Sequence, residues 1–171
     1  MKYAKIKYHD IANGLGVRTS LFVSGCTHRC KGCFNEIAWD FDYGEEFTES
    51  TIENILKSCE ESFVSGLTLL GGEPMEPSNQ RALLPLVKRF KEKLPNKNIW
   101  CYSGYTYETD IVSIEGRTHC EITDEFLNYI DILVDGEFRQ ELYDISLKFR
   151  GSRNQRILKI HEEGCPELLI G

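Results

Sequence analysis

The chain has 171 residues, 41% of them hydrophobic and 27% charged, with a formal net charge of −7. That length fits one domain over 1–171, with a core that needs no covalent staples, and the acidic balance argues against a general nucleic-acid binder, which requires a basic footprint. No apolar run approaches the roughly 18 residues of a membrane span, and no apolar segment follows the basic start Met1-Lys2-Tyr3-Ala4-Lys5-Ile6-Lys7, so neither a span nor a secretory signal is expected.

Thr19 to Ser24 is a short β-branched and apolar run between glycines, read as a buried strand that delivers the next segment at its C-terminal end. That segment is Ser24-Gly25-Cys26-Thr27-His28-Arg29-Cys30-Lys31-Gly32-Cys33-Phe34-Asn35, a cluster loop over 24–35. Cys26, Cys30 and Cys33 have the spacing C-x3-C-x2-C, close enough for one loop to wrap three thiolates around a single inorganic centre, as in iron–sulfur sites. A closed cubane takes four thiolates, yet Cys59, Cys101, Cys120 and Cys165 are scattered singly. The reading is three ligated irons and one open coordination position, where a substrate or cofactor binds. A zinc knuckle would need a second Cys or His pair downstream, and none is present. A disulfide framework fits poorly with an odd count of seven cysteines. His28 is read as supporting the loop or exposed, not as a ligand. Reduced thiols without an export signal place the protein in the cytoplasm.

Further along, Thr48 is a candidate N-cap for a helix with Ile52, Ile55, Leu56 and Cys59 on one face. Leu67 to Leu70 reads as a second strand, ending in Gly71-Gly72-Glu73-Pro74, whose two glycines let the backbone approach a ligand closely. Asn79 to Lys93 carries a helical pattern in which Pro85 predicts a kink or a late start. Asn98 to Tyr102 is a third strand, and the aromatic residues Trp100, Tyr102 and Tyr105 at its end are read as half-buried packing or as lining for a cofactor. Tyr105 to Tyr129 is a broken helical pattern. Asp131 to Gly136 repeats the strand-then-glycine theme, Asn154 to Ile160 is a last strand, and a loosely held tail is expected from Glu162. Five basic residues and no acidic one between Lys148 and Lys159 suggest a solvated charged face or a docking edge. His9, His119 and His161 stand alone. Strands alternating with helices imply parallel β/α units, an α/β class, with chemistry at the C-terminal strand ends.

The cysteine loop resembles that of the radical S-adenosylmethionine superfamily. With the stretch Asp10 to Arg18 before it, the string Cys26-Thr27-His28-Arg29-Cys30-Lys31-Gly32-Cys33-Phe34-Asn35 is similar, within that superfamily, to the activating proteins of anaerobic (class III) ribonucleoside-triphosphate reductases. Gly32 stands where most superfamily members carry an aromatic residue, and Phe34 follows the third cysteine instead. Gly71-Gly72-Glu73-Pro74, Trp100 to Tyr105, Asp131 to Phe138 and Arg150 to Arg156 extend the likeness from about Asp10 to Ile160.

The resemblance implies an open partial (β/α) barrel and a [4Fe-4S] cluster on Cys26, Cys30 and Cys33. It further implies S-adenosyl-L-methionine bound by Gly32, Cys33, Phe34, Gly71, Gly72 and Glu73, with no catalytic side chain beyond the cluster and cofactor. The partners it implies are the anaerobic reductase as protein substrate and a flavodoxin or ferredoxin as electron donor. Activation of another glycyl-radical enzyme, of the pyruvate formate-lyase type, and a non-enzymatic electron carrier remain as alternatives. A side chain added at Gly72 is expected to obstruct the cofactor and spare the cluster.

Overall fold

The computed structural model describes residues 1–160 and the strand at 167–170. Eight strands form one sheet: β1 (Lys2–Asp10), β2 (Val17–Val23), β3 (Glu45–Glu46), β4 (Val64–Gly71), β5 (Asn98–Tyr102), β6 (Ile132–Asp135), β7 (Arg156–Lys159) and β8 (Glu167–Ile170). Their spatial order is β3-β1-β2-β4-β5-β6-β7-β8. The middle four, β2, β4, β5 and β6, pair in parallel, while β1, β3, β7 and β8 add antiparallel pairs at the flanks. This is the expected α/β class, with antiparallel edges that the sequence pattern did not predict. β1 is the clearest omission, because Lys, Tyr and His alternate along it with few large apolar residues.

Three helices cross between the parallel strands: α1 (Glu49–Cys59), α2 (Pro77–Lys93) and α3 (Thr123–Leu127). Thr48 caps α1 in a reciprocal box with Thr51, as its sequence predicts. The second helix starts earlier than expected, at Pro77. Pro77 occupies the first turn, where its missing N–H is unneeded, and Pro85 lies inside the assigned helix without delaying its start. The broken pattern after Tyr105 resolves into a one-turn π-helix at Tyr107–Ile111 and the short α3. Residues 161–166 and 171 lie outside the described residues, and with them much of the expected tail; Glu167–Ile170 pairs with β7.

Because β2, β4, β5 and β6 lie side by side in chain order, each crossover steps the same way. Right-handed connections then put every helix on one face. The core agrees with this. Leu21, Val23, Leu67, Leu69, Ile99, Cys101 and Leu133 alternate toward that face and pack with Ile55, Leu56 and Cys59 of α1, Leu83, Val87 and Phe90 of α2, and Phe126 of α3.

The opposite face has a smaller cluster of Trp100, Ile132, Val134 and Ile157. Beside it lies a polar interior. The fully buried Arg18 donates to Thr68 Oγ1 at 2.6 Å and to the carbonyls of Leu15, Leu67 and Asn98, and its guanidinium sits 5.6 Å from the Trp100 ring centroid. Asp10, equally buried, accepts from Lys7, Ala12, Asn13 and Ser20. These bonds fix the β1–β2 loop across the open face. Among the described residues no helix is long and apolar enough to cross a membrane.

A candidate metal and cofactor site at the parallel strand ends

Beyond Val23 the chain leaves the sheet as the cysteine loop, and beyond Gly71 it leaves β4 as the Gly-Gly-Glu-Pro loop. Pairing of the two segments continues past the strands. Gly72 N donates to Val23 O at 2.8 Å and Glu73 N to Gly25 O at 2.8 Å. On the other side, Gly25 N donates to Ala38 O at 2.8 Å and Cys26 N to Trp39 O at 3.2 Å, from the 3₁₀ turn Glu36–Trp39. The first cysteine is thus clamped between two backbone segments.

A cavity of about 690 Å³ opens where Phe22, Leu70, Tyr102 and Gly136 mark the ends of the four parallel strands. Cys26, Cys30 and Cys33 all line it, together with Phe34, Gly71, Gly72 and Glu73. Gly32 lies just outside that lining, against the side chain of Gln140, and its φ of +73° is one that few residues other than glycine adopt. Cys59 and Cys101 are buried in the helix-side core, Cys120 packs beside Gln80 and Thr123, and Cys165 lies outside the described residues. All six described cysteines are free thiols.

Burial pushes the Cys26 thiol up to about 12 and the Cys30 thiol up to about 11, with the charges of Glu73 and Glu137 adding to the effect. Ligation of a metal must therefore displace their protons. Among the described residues no three His, Cys, Asp or Glu side chains converge as a single metal ion requires. A cluster makes a different demand, since each thiolate bonds a separate iron and the sulfurs stand apart.

The buried polar atoms of the cavity wall also fit a polar guest. Asn35 Nδ2, Trp39 Nε1 and Tyr102 OH are buried there without a protein partner, and such atoms are costly unless something else satisfies them. Three thiols on one cavity, whose lining residues also hold unsatisfied donors, suit a cluster with an organic cofactor beside it.

Glu73 is 1% exposed, and its carboxylate is consumed internally. Oε1 accepts from Met75 N at 2.8 Å and Oε2 from Gly104 N at 2.7 Å, so the side chain ties the end of β5 to the end of β4. His28 Nε2 approaches Oε2 at 3.5 Å, near enough for an ion pair but without hydrogen-bond alignment. Burial opposes protonation of His28, but the charge and proximity of Glu73 outweigh it and raise the imidazole. The ring packs on Tyr105 at 4.2 Å between centroids, and His28 also lines the cavity.

Gly72 lines the cavity and also meets the cysteine loop. A Cβ there would meet Gly25 O at 2.6 Å, Ala38 O at 2.8 Å and Gly25 N at 3.0 Å, so the cysteine loop itself uses the clearance. Trp100 is packing, against Arg18 and Phe149, whereas Tyr102 lines the cavity and Tyr105 packs behind it on His28.

The long connection from Gly136 to Gln155 walls the cavity, a contribution the sequence pattern did not reveal. Phe138, Tyr143, Ile145, Leu147 and Phe149 line it, and Phe138 and Tyr143 stack with the exposed Phe34 at 5.1 and 5.9 Å. Arginines of the basic run hold this wall in place. Arg153 pairs with Asp144 at 3.0 Å, and Arg156 pairs with Glu108 and the buried Asp135. The run is thereby partly neutralised from within.

Comparison with known proteins gives the family. Residues 12–158 match the family model described as a 4Fe-4S single cluster domain. The anaerobic ribonucleoside-triphosphate reductase-activating protein of Pasteurella multocida is 42% identical over 161 residues, which covers 93% of this chain and 98% of the relative. The chain belongs to the anaerobic ribonucleoside-triphosphate reductase-activating protein family. Members bearing that name include the Haemophilus influenzae protein, 42% identical over 92% of this chain and 97% of its own length, and the Escherichia coli K12 protein, 37% identical over 91% and 96%. The matched span takes in the cysteine loop, the Gly-Gly-Glu-Pro loop and the wall from Gly136 to Gln155, all the parts that build the cavity in this family member.

Proposed function

We propose that this protein is a radical S-adenosylmethionine enzyme that activates an anaerobic ribonucleoside-triphosphate reductase by removing one α-hydrogen from a glycine of that partner. The observation that carries the reading is the meeting of Cys26, Cys30 and Cys33 with the Gly71–Glu73 loop around one cavity at the parallel strand ends. The names of the relatives support the choice of partner.

In this reading the three thiolates hold a [4Fe-4S] cluster, and Cys33, Phe34, Gly71, Gly72 and Glu73 form the side of the cavity toward S-adenosyl-L-methionine, with Gly32 turning the loop just outside it. When bound, the cluster supplies a low-potential electron, iron–sulfur potentials reaching about −700 mV, and the cofactor supplies the carbon radical that takes the hydrogen. The chain's own residues position and exclude. The Gly72–Val23 and Glu73–Gly25 backbone bonds fix the cysteine loop beside the cofactor loop. Leu70, Leu147 and Phe149 keep water from the reacting groups. The strand order and one-sided helices support an open partial (β/α) barrel within one domain, 1–171, leaving a mouth for a glycine, whose bare Cα can enter a narrow site. A flavodoxin or ferredoxin is the proposed electron donor and the cytoplasm the proposed location.

The test is anaerobic incubation of reconstituted protein, reductase, S-adenosylmethionine and a strong reductant. A doublet electron paramagnetic resonance signal on the reductase is expected, collapsing when its glycines are α-deuterated, with deuterium recovered in 5′-deoxyadenosine. Cofactor cleavage without deuterium transfer would exclude this partner, and no cleavage at all would leave only an electron carrier.

A further inference from the structure

Thr27 follows the first cysteine, and its backbone N–H and its hydroxyl both donate to a single oxygen, Glu76 Oε1, at 2.9 and 2.6 Å. Tyr105 OH lies 3.2 Å from the same oxygen and 3.1 Å from Thr27 Oγ1, closing a small ring of hydrogen bonds. Thr27 itself is exposed, whereas Glu76 is 6% and Tyr105 2% exposed, so the two anchors are fixed and the loop residue is the part they hold.

Glu76 occupies the N-cap position of α2 but makes no capping bond with its side chain. A residue there ordinarily satisfies the first N–H groups of its own helix. This one reaches across to the cysteine loop instead. Its main chain is held by the helix start, with Asn79 N and Gln80 N donating to Glu76 O at 2.8 and 2.9 Å. The neighbouring Asn79 Nδ2 donates to Ser24 O at 3.0 Å and to Glu73 O at 2.9 Å. The first turn of α2 therefore grips the chain on both sides of Cys26, at Ser24 and at Thr27. The loop beyond Thr27 carries the left-handed residues Arg29 and Gly32.

We infer that Glu76 is a positioning residue for the cluster: through Thr27, with Tyr105 as co-anchor, it sets the orientation of Cys26 and slows loss of the metal centre. The inference rests on the cluster assignment proposed above. Partners that orient metal ligands in this way typically contribute about 10- to 100-fold in metal affinity. A bond to a charged acceptor is also the strong kind.

The experiment compares wild-type, Glu76→Ala, Glu76→Gln and Thr27→Val proteins after anaerobic reconstitution. It follows iron release to a chelator by absorbance and the melting temperature of each apo chain. Glu76→Ala is expected to release iron about 10- to 100-fold faster than wild type. Glu76→Gln keeps an acceptor oxygen for both Thr27 donors and should recover most of the difference. Thr27→Val, altered at an exposed residue that leaves the Glu76 backbone alone, should fall between them and keeps the test decisive if Glu76→Ala does not fold. Release from Glu76→Ala, or from Thr27→Val in that case, at the wild-type rate would overturn the inference. So would equal acceleration in Glu76→Gln and Glu76→Ala with matching losses of apo melting temperature, which marks a role in folding alone. A wild-type protein that binds no iron would instead refute the cluster assignment.

Discussion

Replacing Gly72 by alanine tests whether the Gly-Gly-Glu-Pro loop is shaped first by the cysteine loop or by a cofactor. The φ of Gly72 is not in the left-handed region, so the substitution adds a methyl group without backbone strain. That methyl would lie 2.6 Å from Gly25 O and 2.8 Å from Ala38 O, both main-chain atoms with no rotamer to yield. Ordinary contact distances require a displacement of roughly 1 Å. The atoms to be displaced belong to the residues that bond Glu73 N, and that receive Gly25 N, on either side of Cys26.

Overpacking of this kind costs about 1–3 kcal/mol, which for a chain of this size lowers the melting temperature by roughly 2–12 °C. Because the strain falls on the loop before Cys26, iron content after reconstitution should drop as well. Calorimetry on the apo chain and iron analysis on the reconstituted protein measure the two effects separately. An alanine variant with wild-type melting and full iron that fails only in cleaving S-adenosylmethionine would refute this reasoning and return Gly72 to the cofactor.

Two further outcomes follow from the buried charges. Burial alone would raise the Asp10 carboxyl, but bonds from Lys7, Asn13, Ser20 and Ala12 N outweigh it and hold it at about 2. A depressed folded value stabilises the protein above the unfolded carboxyl range and is lost on acidification, so stability should fall between about pH 4 and pH 2; urea titrations of Asp10→Asn should show a smaller fall over that interval. Arg156→Met leaves the buried Asp135 without its guanidinium partner while Tyr107 N still donates to it. A loss of about 1–3 kcal/mol in denaturant unfolding is expected, in contrast to Arg153→Ala, whose solvent-screened pair with Asp144 should contribute little.

The parts legible in the sequence were those with local signatures. The β2, β4, β5 and β6 runs, the Thr48 cap and the amphipathic face of α1 each follow from spacing within a dozen residues. So does the grouping of Cys26, Cys30 and Cys33. What stayed hidden depends on distant contacts. β1 lacks an apolar alternation because its pairing with β2, not burial, makes it a strand. The wall from Gly136 to Gln155 has no period to detect, and its order comes from Arg153 and Gln155 bonding back on it, while Arg156 ties its end to Asp135 and Glu108. Glu76 sits just past the recognisable Gly71–Pro74 string and looks like an ordinary residue before a helix. Gly72 was legible as a place of close approach, but the identity of the approaching group was not, since Ala38 is 34 positions away in the chain.

The tether between Thr27 and Glu76 also has a meaning in time. The bonded residues are 49 positions apart, and Tyr105 is 78 positions from Thr27. During synthesis the three thiols leave the ribosome long before α2 exists to hold Thr27, and longer still before β5 brings up Tyr105. A cluster offered to the nascent loop would meet flexible ligands with nothing behind them. On the proposed cluster assignment, metal loading is expected after the parallel strands have paired, as a late step in the maturation of an already folded protein.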